Sequence, residues 1–331
     1  MSSPEPLCRY CVKVALDPPL TLFQYKSDPT KAQWSLGPGS RVKNSPCPMC
    51  GLVKHVYYED ERTNPDHSWT GLSEITDVTL SWSPSAGGGG RGVFKLTAVG
   101  DHQIWFGRDP DINSPVYEYH SLQPKLHSEL DINRVSRWLS TCTSTHSIDC
   151  NVESSMMFER AFPGLRVLRF IDVKRDRLVE MQNICQYVAL SYVWGNVPNF
   201  RLTKANRREL LISGAIKTVW KMLPRTIKDA VELTRKLGLR YLWVDALCLL
   251  QNDREDLELG VAVMDQVYEQ SWLTIIAACG HDANAGLPGV RDGSRRESNL
   301  TVEVKRGIWL GVHTGLDLLF KHSVHNSRAW T

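Results

Sequence analysis

The hydrophobic pattern changes character near the middle of the chain. In the second half it comes as unbroken apolar runs: Tyr187–Val193, Arg240–Val244 and Ser271–Cys279. Runs of this kind mark strands buried on both faces, as in a parallel sheet. Between them lie segments of helical period. Ile227, Ala230, Val231, Thr234 and Leu237 share one face of a helix over Pro224–Leu237. Pro224 suits its first turn, Lys236 its last, and Gly238 its stop. Leu257, Val261, Met264, Val267 and Tyr268 define a second helical face over Glu255–Glu269, with acids in the first turn. Strand, helix, strand, helix, strand predicts a parallel α/β layer.

The first half is broken into short pieces. Val78–Trp82 and Gly92–Val99 read as strands joined through the loop Gly87–Gly90, and Gln103–Phe106 as a third. Ile132, Val135 and Leu139 place a helix over Ile132–Ser140. The organisation expected is a Cys-rich N-terminal region with a β-hairpin over 1–150, a connecting segment over 151–186, and an α/β domain over 187–331.

Composition narrows the classes. A chain of 331 residues fits two domains, and 42% hydrophobic with 23% charged residues excludes wholesale disorder. A net charge of +3 gives no broad cationic face, so nucleic acid is not an expected partner. No apolar run reaches the ~18–20 residues of a membrane span. Met1–Pro6 lacks the basic-then-apolar pattern of a secretory leader, so the expected compartment is the cytoplasm, where thiols stay reduced. The nine cysteines then read as core thiols, metal ligands or reactive groups.

In an open parallel sheet, ligands sit outside the carboxyl ends of the strands. One such end is Ser191-Tyr192-Val193-Trp194-Gly195, where Trp194 is either a stacking wall or core beside a tight turn. The other is Asp245-Ala246-Leu247-Cys248, followed by Gln251. Asp245 either positions a substrate hydroxyl, or acts as a base, or caps the next turn. Cys248 is either a nucleophile or a small core residue. Cys8-x-x-Cys11 and Cys47-x-x-Cys50 are two chelating pairs able to complete a tetrahedral Zn²⁺ shell, with free thiols as the alternative and His55 as a substitute ligand. Cys142, His146 and Cys150 form a third cluster, read either as a second metal site or as packing. The only Gly-x-Gly-x-x-Gly match, Gly87–Gly92, falls in the loop between two expected strands rather than ahead of a helix, and there is no Gly-x4-Gly-Lys-Ser/Thr, no His-Glu-x-x-His and no Gly-x-Ser-x-Gly. Classical dinucleotide oxidoreductases, P-loop NTPases, zincin proteases and serine hydrolases are thereby disfavoured.

Longer motifs carry a resemblance. Tyr187-Val188-Ala189-Leu190-Ser191-Tyr192-Val193-Trp194-Gly195 resembles the first signature block of the fungal heterokaryon incompatibility (HET) domain. Leu223-Pro224-Arg225-Thr226-Ile227-Lys228-Asp229-Ala230 and Tyr241-Leu242-Trp243-Val244-Asp245-Ala246-Leu247-Cys248-Leu249-Leu250-Gln251 resemble its central block. Met264–Tyr268, Ala277–Gly280, Gly286–Gly289 and Asn326–Thr331 continue the order. The resemblance implies non-self recognition and regulated cell death, with other incompatibility proteins or a second copy as partners.

HET domains are in turn remotely similar to TIR domains, some of which cleave NAD with a carboxylate. The implied fold class is α/β, with a TIR-like or flavodoxin-like parallel sheet in the C-terminal half, preceded by the Cys-rich region with short β-strands. The implied enzyme is a TIR-like NAD glycohydrolase. Asp245 and Cys248 would be its catalytic groups, and Ser191, Tyr192, Trp194, Gly195, Gln251, Arg328 and Trp330 would line the ligand site. The alternative is a self-association or adaptor module. The family block usually runs on from Arg-x-Trp-Thr to Gln-Glu. The sequence reaches Thr331, and this stretch is expected to be a C-terminally incomplete HET domain.

Overall fold

The computed structural model describes residues 6–16, 18–63, 71–84, 92–99, 102–107, 128–145, 157–278, 280–295, 301–314 and 323–327. Gly87–Gly90, His146, Cys150, Cys279, Arg328 and Trp330 lie outside these residues. The described strands, in chain order, are β1 (Gln33–Ser35), β2 (Thr79–Pro84), β3 (Gly92–Leu96), β4 (His102–Gly107), β5 (Leu168–Asp172), β6 (Arg177–Met181), β7 (Val188–Ser191), β8 (Tyr241–Trp243), β9 (Leu273–Ile276), β10 (Thr301–Lys305) and β11 (Ile308–Thr314). The chain divides into two compact units, 1–126 with 297–319, and 127–296 with 320–331. Among the described residues no helix is long and apolar enough to cross a membrane.

The first unit is built on a six-stranded sheet in the order β1-β2-β3-β4-β11-β10, and every pair in it is antiparallel. Alternation sets its inner face. Leu80 and Trp82, Ile104 and Phe106, and Leu310 and Val312 are all buried, each two residues from its partner. A helix over Pro48–Thr63 covers this face, burying Leu52, Val53, Val56 and Tyr57 at helical spacing. Its start coincides with the Cys47–Cys50 pair.

The second unit holds a five-stranded sheet in the order β6-β5-β8-β7-β9. β7 is parallel to both β8 and β9, as the three apolar runs predict. The sheet is mixed rather than wholly parallel, because β5 is antiparallel to both β6 and β8. The reason is connection length: only Val173–Asp176 separates β5 from β6, and so short a link permits only a hairpin. Asp176 takes a positive φ of 50° there, which Asp tolerates better than most residues.

The helix Arg225–Lys236 buries Ile227, Ala230, Val231, Leu233 and Thr234 against this sheet. It ends in a Schellman turn, with Gly238 N–H bonding the Arg235 carbonyl at 2.9 Å and Leu239 N–H the Thr234 carbonyl at 3.0 Å. Gly238 supplies the required positive φ of 74°. Asp229, buried on the same helix, docks the downstream loop. Its carboxylate accepts from Leu287 N at 2.8 Å and Arg291 Nε at 2.8 Å. The helix expected over Glu255–Glu269 is two helices, Arg254–Ala262 and Met264–Glu269, broken where Val263 turns into the core with ψ of 16°.

Asp172 closes β5. It is fully buried, and it accepts from Arg240 Nη2 at 2.7 Å and from Lys174 N and Arg175 N at 3.2 Å each. Burial pushes its carboxyl up, but the Arg240 and backbone hydrogen bonds outweigh burial and hold it below the usual carboxylate range. A depressed folded-state pKa means stability that is present above about pH 4 and is lost as pH falls through the folded value. Asp172→Asn should therefore lower the unfolding free energy by about 2–3 kcal/mol at pH 7. It should also flatten the loss of stability between pH 5 and pH 2 in denaturant titrations. An unchanged pH profile in the variant would dismiss this role.

Candidate functional site

The parallel strands β7 and β8 end side by side, and their carboxyl ends bring the expected groups to one edge. Trp194 Nε1 donates to Asp245 Oδ2 at 2.9 Å, and Ala246 N donates to Asp245 Oδ1 at 2.7 Å. Both oxygens of the carboxylate are thus engaged, and the residue is only 8% exposed. The half-buried Trp194 ring carries the Arg201 guanidinium 4.8 Å from its centroid. Gly195 follows with φ of 63°, and a Cβ there would lie 2.4 Å from Asp282 Cβ. Only glycine meets both demands. Asn199 Nδ2 donates to the buried Tyr192 hydroxyl at 3.4 Å. Burial and the neighbouring Asp245 charge push that hydroxyl well above its ordinary pKa, so it stays protonated at neutral pH.

Gln251 turns its amide inward, donating to the carbonyls of Asp245 and Leu249 at 3.1 Å each. It braces the turn that carries Asp245. Cys248 is fully buried in the core on the other side of that turn. Its Sγ accepts from Val244 N at 3.3 Å, and burial pushes its thiol up to about 12. A neutral thiol without solvent access is a poor nucleophile at neutral pH.

Ser191, at the last position of β7, has a partner the sequence did not disclose. Its Oγ lies 2.9 Å from Nε2 of the buried His325. His325 stands three residues ahead of Arg328, so the approach to that segment reaches the carboxyl end of β7. A hydroxyl and an imidazole at this distance can exchange a proton. A lone histidine 134 positions away carries no spacing signal. Its nearness to the Arg-x-Trp block was the one pointer available.

In the first unit, Cys8, Cys11, Cys47 and Cys50 come together. Their sulfurs all lie within 4.8 Å of one another. Cys8 Sγ is 3.8 Å and Cys11 Sγ 3.6 Å from Cys50 Sγ. A tetrahedral Zn²⁺ with bonds of ~2.3 Å needs sulfurs about 3.8 Å apart, so the donor set fits. A short turn over Cys11–Lys13 presents one pair, and the N-terminus of the helix Pro48–Thr63 presents the other. Cys8 N–H also donates to Cys47 Sγ at 3.4 Å. Hydrogen bonds from Cys11 and Cys50 hold the Cys47 thiol far below its ordinary value. His55 is not in the cluster. Cys142 sits half-buried on the helix Ile132–Thr145, and the other members of its proposed trio are outside the described residues.

The close approach at Gly195 generates a test. Gly195→Ala should cost about 2–4 kcal/mol, from the left-handed backbone and the contact with Asp282 together. Thermal or denaturant unfolding measures it, and a loss under about 0.5 kcal/mol would show that this edge is loosely held.

Residues 187–331 match the family model described as heterokaryon incompatibility protein (HET). No curated protein and no solved structure matches the chain. The matched segment starts one residue ahead of β7 and takes in Trp194, Asp245 and His325. Residues 187–331 are thereby identified as a heterokaryon incompatibility (HET) domain.

Proposed function

We propose that this protein acts in fungal non-self recognition, as an effector or signalling module of heterokaryon incompatibility and of the programmed cell death that follows fusion of unlike cells. The family match over 187–331 carries the proposal. For mechanism, the single most informative observation is the state of Asp245. Its carboxylate is committed to Trp194 and to a backbone amide, and it is nearly buried. That favours a module that works by self-association or by recruiting other incompatibility proteins, with Trp194, Asp245, Gly195 and Gln251 holding its recognition edge in shape. Expression in a filamentous fungus should kill or arrest the cells, and the purified protein given NAD should release no nicotinamide above a blank. Growth indistinguishable from an empty control would overturn the cell-death role.

One observation favours the enzymatic alternative. The Ser191–His325 pair stands at the carboxyl edge where a parallel sheet places ligands. In this second reading the edge takes NAD, with Trp194 stacking, Asp245 freed to hold a ribose, and Arg328 and Trp330 completing the pocket as part of an innate-immune, TIR-like reaction. Nicotinamide release that disappears in Ser191→Ala and Asp245→Asn, both with wild-type melting temperature, would establish it over the adaptor reading.

Zinc is proposed for the four cysteines, as a closed structural centre without an open coordination position. It would fasten the N-terminal turn to the helix Pro48–Thr63. Chelator treatment should lower the melting temperature by roughly 10 °C, the shift for about 4 kcal/mol of ligand stabilisation withdrawn. Added Zn²⁺ should restore it. A melting temperature indifferent to chelator would leave four ordinary core thiols.

A further inference from the structure

We infer that Arg41 is the counter-charge of the four-cysteine centre, bridging one sulfur from each Cys-x-x-Cys pair and slowing loss of the metal. The inference rests on the zinc assignment above. Arg41 Nη1 donates to Cys8 Sγ at 3.4 Å, and Nη2 donates to Cys50 Sγ at 3.5 Å. Cys8 comes from the first pair and Cys50 from the second, so one planar group spans the two halves of the shell.

Charge explains the need. Four thiolates around one Zn²⁺ leave a net charge of −2, and three of these cysteines are buried. Uncompensated charge in such surroundings is costly. A guanidinium stays charged at any working pH and carries parallel donors that a lysine lacks. Its N–H···S bonds also draw electron density from the sulfurs, which lowers their nucleophilicity.

The guanidinium is held in place independently of the sulfurs. Arg41 Nε donates to the Leu36 carbonyl at 2.9 Å, and Nη2 donates to the same oxygen. The Tyr10 ring lies beneath it, 4.3 Å from the guanidinium carbon to the ring centroid. Tyr10 sits between Cys8 and Cys11 in the chain, so the ligand turn itself supplies the platform. Gly37, with φ of 79°, lets that ring approach: a Cβ there would meet Tyr10 at 3.0 Å. Arg41 therefore arrives preorganised at the two sulfurs. Partners of this kind around metal ligands typically change affinity 10–100-fold when removed.

The test uses the full chain loaded with one equivalent of Zn²⁺ or Co²⁺. Transfer of zinc to a chromogenic chelator is timed in the wild type, Arg41→Ala and Arg41→Lys. Arg41→Ala should weaken zinc binding 10–100-fold. Arg41→Lys, which keeps charge but not the paired donors, should recover only part of the loss. In the cobalt form, the sulfur-to-metal charge-transfer band of Arg41→Ala should move to lower energy, and the bound thiolates should alkylate faster. A purely packing role would move neither. If Arg41→Ala does not accumulate as folded protein, Arg41→Lys carries the same comparisons. Variants with wild-type zinc transfer and an unshifted cobalt band would overturn the role of Arg41 and leave the zinc centre standing. A wild-type chain that retains neither metal would overturn the zinc assignment itself, and this inference with it.

Discussion

A guanidinium that is only 6% exposed can remain in a protein only if its donors are answered, since burying a charge without partners costs several kcal/mol. Arg169, in the middle of β5, is such a group. Its Nε donates to Glu180 on β6 at 2.9 Å, and Nη1 and Nη2 grip both oxygens of Asp256 at 2.9 and 2.7 Å. Nη1 also reaches the Cys248 carbonyl at 3.2 Å. Asp256 in turn accepts from Leu250 N at 2.8 Å, and Glu180 accepts from Arg207 at 2.6 Å. One side chain thus gathers the hairpin, the turn leaving β8 and the helix after it. Asp245 opens that turn, so the geometry of the Trp194–Asp245 contact descends from a charge on a neighbouring strand.

This dependence explains what the sequence disclosed and what it hid. The runs around Val188, Leu242 and Ile275 were legible because a strand buried on both faces must be apolar throughout. The helix over Arg225–Lys236 was legible because period, proline and glycine agreed. The β5–β6 hairpin was not. Leu168–Asp172 and Arg177–Met181 carry Arg169, Asp172, Arg177 and Glu180, and charges inside a strand read as linker until their partners, 11 to 87 residues away, are known. The helix Pro48–Thr63 carries its own signal, Leu52, Val53, Val56 and Tyr57 at helical spacing, overlapping the Cys47-Pro-Met-Cys50 pair at its start.

The candidate sites divide along the same line. Spacing disclosed the cysteine cluster, since a Cys-x-x-Cys pair is a local device that needs only its double. Arg41 and its platform Tyr10 have no such signature, because arginines are common on surface helices. At the sheet edge, position after a buried strand picked out Trp194 and Asp245. The distinction between a presented and a committed carboxylate lies in three-dimensional partners. Cys248 shows the limit clearly: two positions in one turn, three residues apart, face different worlds.

The hairpin β10–β11 lies inside the segment that matches the HET family, yet it completes the sheet of the first unit, with β11 pairing along the whole of β4. A ribosome makes β4 some 200 residues before β11. At 5–20 residues per second the wait is roughly 10–40 s. Through it β4 is an unpaired edge bearing Ile104 and Phe106, both buried in the finished protein. The first part of the chain to be synthesised is thus among the last to be finished. The nascent chain carries that open edge while residues 127–296, most of the second unit, are made.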